Sequence, residues 1–421
     1  MKLAKKRRKL RVIRPDTVIE SEKSREDKSR NLKIKVITII GIVCALLLAI
    51  YLFCVYRTYN NYKVRKTIKI ETGTNSQYQA FGEFVVKYSN DGISYINGTE
   101  TIWNEAYEMK SPIVDVCGDY LAIADKNSNT IYIFNKKGKV GEVNTSYPII
   151  KIEVAQQGVV AALLEEASAN YIELYDAAQK KLVSIKVTAS QNGYPMDIAL
   201  SSLSFSISND GDKMMTSYLS IKEGSTENQV IFYNFSNVGK DEVDRVVGTF
   251  NQYGETIVPA VYFVSNEDAI AIGDNVLTIY KMKEKPTIRK EIKFDKEIQK
   301  VFYNEKYVGL IFENSKGDTP YKMEVYSLSG EKIMSKEIEM NLDHVKFAGK
   351  NVLMYDDVTC ELISLKGVVK FKHVFTKQLD AIVPMESTNT FLLMTKNKIE
   401  EISLRYSLKS PVTKNKQTAE E

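Results

Sequence analysis

Only two imidazoles, His344 and His373, occur in the 421 residues, and neither has a carboxylate or cysteine at ligand spacing beside it. A zinc site or a Ser-His-Asp triad needs an imidazole held by a second polar group, so neither chemistry is supported. The run Asn209-Asp210-Gly211-Asp212 lacks the remaining alternate acids and the distal Glu of a calcium loop. An Asp-Gly pair between strands reads more simply as a tight turn. Asp and Glu number 53 and are scattered along the chain. Two of them flanking an opening could cleave a glycosidic bond, but the sequence singles out no such pair. Cys44 and Cys54 fall in an apolar run, while Cys117 and Cys360 sit in strand-like apolar contexts. Buried free thiols are the simple reading of the latter two, with a disulfide between them as the alternative. No catalytic residue, no metal ligand and no cofactor are expected.

Any site must be positioned by the remaining elements, and the first of these is the apolar run. Residues 36–55 read VITIIGIVCALLLAIYLFCV, without one charge. A helix of about 20 residues rises ~30 Å, the hydrocarbon thickness of a bilayer. Tyr51 and Tyr56 stand near its end, where rings straddle the interface. The run is longer than a signal-peptide core of ~7–15 residues and no Ala-x-Ala follows it, so the sequence predicts an uncleaved anchor in the lipid bilayer. Residues 1–35 carry fourteen basic and five acidic side chains, a net +9, against +5 for the whole chain. Positive residues resist translocation, which predicts a cytoplasmic tail and an extracytoplasmic C-terminal bulk. The KKRRKLRVIR run is read as topogenic with some attraction to anionic lipid, and no nucleic-acid partner is expected.

Beyond a stalk at residues 56–65, the chain is rich in Tyr (25) and Phe (16) and poor in Pro (9), which favours strands. Residues 112–143 break into four short apolar segments, IVDVC, YLAIA, TIYIF and VGEV, divided by Asn, Gly and Asp turns. Alternation bounded in this way marks antiparallel hairpins. The second segment recurs as FVVKY, VVAALLEE, KMMTSYLSI, AIAI, YVGLIFE, NVLMY and TFLLMT, each followed by a third. Counting all copies gives eight units, and a four-stranded period of ~40–50 residues is that of a propeller blade. The fold class expected is all-β, a β-propeller of about eight four-stranded blades over residues 66–406, with seven as the alternative. The last unit supplies three strands, so KTIKIETG from Lys66 is assigned as its missing outer strand. Residues 407–421 read as a polar tail. Trp103 is expected in an outer strand. The repeated Trp motifs of quinone-dependent propeller dehydrogenases and WD-repeat proteins are missing from the sequence.

The segments GYPMDIAL (193–200), SNDGDKMMTSYLSI (208–221), VIFYNFSNVG (230–239) and DRVVGTFNQYGETIVPAVYFV (244–264) together resemble an uncharacterised family. Its members are N-terminally anchored, propeller-like proteins of clostridial Firmicutes, classified only as a domain of unknown function. Residues 201–207 look like an insertion relative to that family. The resemblance implies fold and topology and brings no site residues.

The expected function is a non-enzymatic binding or scaffold module, anchored in the membrane, for a protein or cell-envelope polymer. Loops at blade ends, from Glu165 to Asn170, from Lys222 to Asn228 and from Glu313 to Pro320, are the candidate contacts, because loops vary without disturbing a ring. One alternative is an extracytoplasmic hydrolase or lyase using carboxylates at the central opening. Another is a single-pass sensor coupled to a cytoplasmic partner. An acidic pair with aromatics in the central tunnel would favour the enzyme.

Overall fold

Residues 30–56 form the one helix, among the described residues, long and apolar enough to cross a membrane; it is the C-terminal part of Pro15–Tyr56 (α1). Its large apolar side chains from Leu32 to Phe53 are exposed. The computed structural model describes residues 15–406 other than 70–75, 83, 98–99, 189–193, 201–211, 223, 316 and 386–388. The helix belongs to one compact unit and residues from Thr58 onward to a second.

The second unit is an eight-bladed β-propeller. Its sheets each hold four antiparallel strands, and in seven of them the order follows the sequence. Blades 1 to 7 span residues 77–106, 112–144, 149–187, 194–250, 260–293, 298–338 and 344–374. Blade 8 takes three strands from residues 381–405 and its outermost from Asn61–Lys69, which pairs with Lys398–Arg405. The first strands of successive blades approach one another and so surround the axis, while the fourth strands lie at the rim.

The second and third strands explain why the sequence reads as apolar runs. In Val160–Glu166, the side chains of Val160, Ala162 and Leu164 pack against blade 2, and those of Ala161 and Leu163 against blade 4. Both faces of each sheet are therefore buried. Eight apolar clusters result, each shared by two neighbouring blades, and together they run unbroken around the ring. At ~25 cal/mol per Å² of apolar surface removed from water, these inter-blade cores are the main stabilising term.

Every outer strand carries a bulge at the same place. Pairing of third with fourth strand skips one residue: Ile102, Val140, Leu182, Val247, Arg289, Ile333 and Lys370 in blades 1 to 7. In blade 8 the skipped residue is Arg65, so the strand from the N-terminus has the geometry of the other seven. A bulge increases twist, which turns each rim strand away from edge-to-edge pairing.

The closing strand runs from Asn61, inside the segment expected as stalk, to Lys69, and residues 70–73 of the expected strand fall outside the described ones. Its earlier half escapes a sequence reading because only Tyr62 and Ile68 are shielded from solvent, leaving NYKVRKTIK polar in appearance. The insertion read at residues 201–207 and the Asn209-Asp210-Gly211 turn also fall outside the described residues. Trp103 lies in the outer strand Glu100–Ala106, its ring stacked on Phe134 at 5.0 Å.

One close approach is worth a test. Gly309, in the second strand of blade 6, pairs with Phe302, and a Cβ there would sit 2.1 Å from the buried Phe302 ring. Gly309→Ala should destabilise the ring by ~1–3 kcal/mol through overpacking, read by denaturant melts. Phe302→Leu in the same chain should recover part of the loss.

Candidate functional site: the ring axis and one loop face

In every blade the chain runs alternately between two faces of the ring. The first strand starts on the face that also holds the turns between second and third strands. The opposite face holds the first-to-second and third-to-fourth turns. Asn61 pairs with Arg405, the end of a third strand, so the chain joins the ring on that opposite face.

First strands have an inner edge with no neighbouring strand, and polar side chains answer it. Asp115, in Pro112–Cys117, accepts the Val154 amide of blade 3 at 2.6 Å. Beside it is Glu153, in Ile149–Val154, whose carboxyl is within hydrogen-bonding reach of Asp115 and 2.9 Å from the Lys151 ammonium. Glu153 keeps 23 % of its side-chain surface open inside the channel, yet protein surrounds it. Burial, and then the Asp115 charge, push its carboxyl up to about 8. Burial also raises Asp115, against the backbone amides of Val154 and Val116 that favour its ionised form. Two carboxyls in contact oppose each other's ionisation, and the Lys151 ammonium stands beside them. Burial and the same two carboxylates raise the Cys117 thiol to about 12, which leaves it unreactive. Tyr262 and Tyr303 lie near, ring centroids 4.5 Å apart, and the hydroxyls of both feel the Glu153 charge after burial.

An acidic pair with aromatics therefore sits on the axis, the feature named above for the hydrolase alternative. Its spacing differs from that of a glycosidase. Those enzymes hold their carboxyls ~5–9.5 Å apart, with the sugar bond between, whereas Asp115 and Glu153 bond to each other. Among the described residues no group of three His, Cys, Asp or Glu side chains could hold a metal ion.

The other end of the axis opens into a cavity of about 550 Å³. Blades 6, 7, 8 and 1 line it with the starts of their first strands, through Lys300, His344, Lys346, Asp380 and Gln79 among others. His344 stacks on Tyr355 at 4.6 Å, and burial holds its imidazole below the ordinary value. His373 is remote from this cavity, among Tyr62, Phe371 and Phe375 at the rim of blades 7 and 8. Cys117 and Cys360 are free thiols, as are Cys44 and Cys54.

The three nominated segments all join a second to a third strand, so they share the face with this mouth. They differ in what they offer. Glu165 and Asn170 are cross-strand partners flanking a tight hairpin. Lys222 pairs with Ser225, and the segment continues as strand to Asn228. Asn228 is 1 % exposed and accepts the Val258 amide at 3.1 Å, so it is an internal tie rather than a contact residue. The segment from Glu313 to Pro320 is a true loop: Asn314 donates its amide to Pro320, and with Gln299 the loop lines a cavity of about 520 Å³. Sequence reasoning missed the axis residues because they are polar positions scattered among short strands far apart in the sequence.

Comparison with solved structures gives the fold. Sqt1 of Chaetomium thermophilum, bound to the N-terminus of ribosomal protein L10, matches with a TM-score of 0.52 at 10 % identity, over 82 % of this chain and 100 % of Sqt1. A eukaryotic initiation factor matches at 0.51 and 10 % identity, over 80 % and 86 %. BamB of Moraxella catarrhalis matches at 0.48 and 10 % identity, over 82 % and 100 %. No curated protein sequence matches. One family model does, over residues 55–404, and its description is a family of unknown function (DUF5711).

Proposed function

The chain belongs to DUF5711, a family of unknown function, and from its own geometry we propose a membrane-anchored propeller that acts as a non-enzymatic binding scaffold. Residues 36–55 would span the bilayer, with the basic tail cytoplasmic and the ring outside. The partner would be a protein or an envelope polymer. The observation that carries this reading is the sidedness of the ring. The blade-6 loop, its 520 Å³ cavity and the axial mouth share one face, and the chain joins the ring on the other.

Asp115 and Glu153 give the hydrolase alternative its one specific support, so the experiment includes them. Full-length protein, crosslinked in envelope membranes, should capture partners that are lost when residues 314–320 are replaced by a two-residue glycine turn. The melting temperature should move by less than about 2 °C, since a surface loop of this kind carries little of the core. Protease outside intact protoplasts should digest the ring and spare the tail. If the purified chain instead cleaves glycans or peptides, and Asp115→Asn stops it, the scaffold reading is wrong.

A further inference from the structure

The axial mouth holds an ammonium that, among the described residues, meets an aromatic face but no carboxylate. Lys346 stands on the first strand of blade 7 with its ammonium 5.5 Å over the Tyr355 ring. Among the described residues it has no ion pair and no hydrogen bond. Its neighbour Lys300 is different, because its ammonium donates to the carbonyls of Leu342 and Asp343. Burial alone lowers Lys346 to about 8, so the water it has lost is not replaced by a protein partner. Gln77, on the same wall, accepts the Tyr88 hydroxyl at 2.7 Å through its carbonyl, which leaves its amide donors for another acceptor.

We propose that this cavity binds a monocarboxylate, with Lys346 as its counter-ion. The cavity's about 550 Å³ falls within the ~300–1,000 Å³ of small-molecule sites. A carboxylate fits better than a phosphate because Asp343 and Asp380 line the same walls, and a dianion would meet both. Tyr78, Val301, Val345 and Ala381 supply apolar surface for a carbon skeleton. His344, kept neutral by burial and by the Lys346 charge, can donate to the ligand without adding a second charge. The carboxylate could be carried by a small free acid or by the C-terminus of a peptide. Neither depends on what the blade-6 loop binds.

The test uses full-length protein in detergent micelles, its lysines reductively methylated with ¹³C so that each ammonium keeps its charge. The Lys346 resonance is assigned by its loss in Lys346→Met. Butyrate should shift it saturably and raise its titration midpoint, while butyramide should leave it in place. A short peptide with a free C-terminus, compared with its amidated form, tells the second source from the first. Binding to Lys346→Met should weaken about tenfold or more, the scale of a lost charged hydrogen bond, and Lys346→Arg should retain it. Retained butyrate or peptide binding in a folded Lys346→Met protein would overturn the proposal. So would equal responses to each acid and its amide.

Discussion

Replacing residues 61–69 by a glycine-serine segment of equal length should lower the melting temperature of the ring by about 6 °C or more, since two half-buried side chains, worth up to ~1.5–3 kcal/mol each, are lost and ~2 °C accompanies each kcal/mol. Those side chains are Tyr62, which packs into the cluster between blades 7 and 8, and Ile68, which packs into the cluster between blades 8 and 1. The substitution also weakens the eight-residue ladder on the third strand of blade 8 and removes Arg65, whose guanidinium donates to Ser403 at 3.2 Å. Removing residues 407–421 should leave the melting temperature within about 2 °C, because the last described strand ends at Arg405, before that segment begins. Equal shifts for the two variants, measured by circular dichroism on the anchored chain in detergent, would refute closure by the N-terminal strand.

The second large effect is on pH dependence. In the unfolded chain Glu153 releases its proton near pH 4.5, but in the ring it holds it to about pH 8. Between those values the folded state binds a proton that the unfolded state has lost. Stability therefore falls as pH rises through this window, by up to ~1.4 kcal/mol per pH unit, and the loss is complete above pH 8. Asp115, also raised, contributes with the same sign. Melting temperatures should decline from pH 5 to pH 8.5. Glu153→Gln, which keeps an amide donor toward Asp115 but cannot ionise, should flatten the decline. The variant should match the parent near pH 5 and exceed it near pH 8.5. An unchanged slope would mean that the pair is ionised in the folded ring.

The repeat was legible in the sequence because its second and third strands are buried on both faces, and apolar runs such as VVAALLEE stand out wherever they occur. The blade count followed from them. Outer strands were harder. NYKVRKT looks like a linker because a rim strand shields so few of its side chains, and only the pairing with Lys398–Arg405 identifies it. The axial residues were not legible at all. Asp115, Glu153 and Lys346 are polar letters in short strands 38 or more positions apart, and nothing in their spacing reports that a ring brings them to one axis. Asn228 shows the reverse error: a polar residue near a turn read as surface, although the strand carries it into the core.

Closure by the first strand also sets an order of assembly. Arg65 and Ser403 are 338 residues apart in the chain, so the strand made first waits for the one made last. Each intervening blade is built from successive hairpins and needs only its neighbours, which makes those contacts local and early. Joining the ends is the single long-range step. Its entropic cost grows slowly, about 0.6 kcal/mol per doubling of loop length, but its rate depends on everything between being in place. A chain stopped short of Arg405 cannot close. It carries an open sheet edge at one end and an unpaired strand at the other, the features that mark incomplete chains for aggregation or proteolysis. Resistance to proteolysis is thus expected to appear only when the ring can close.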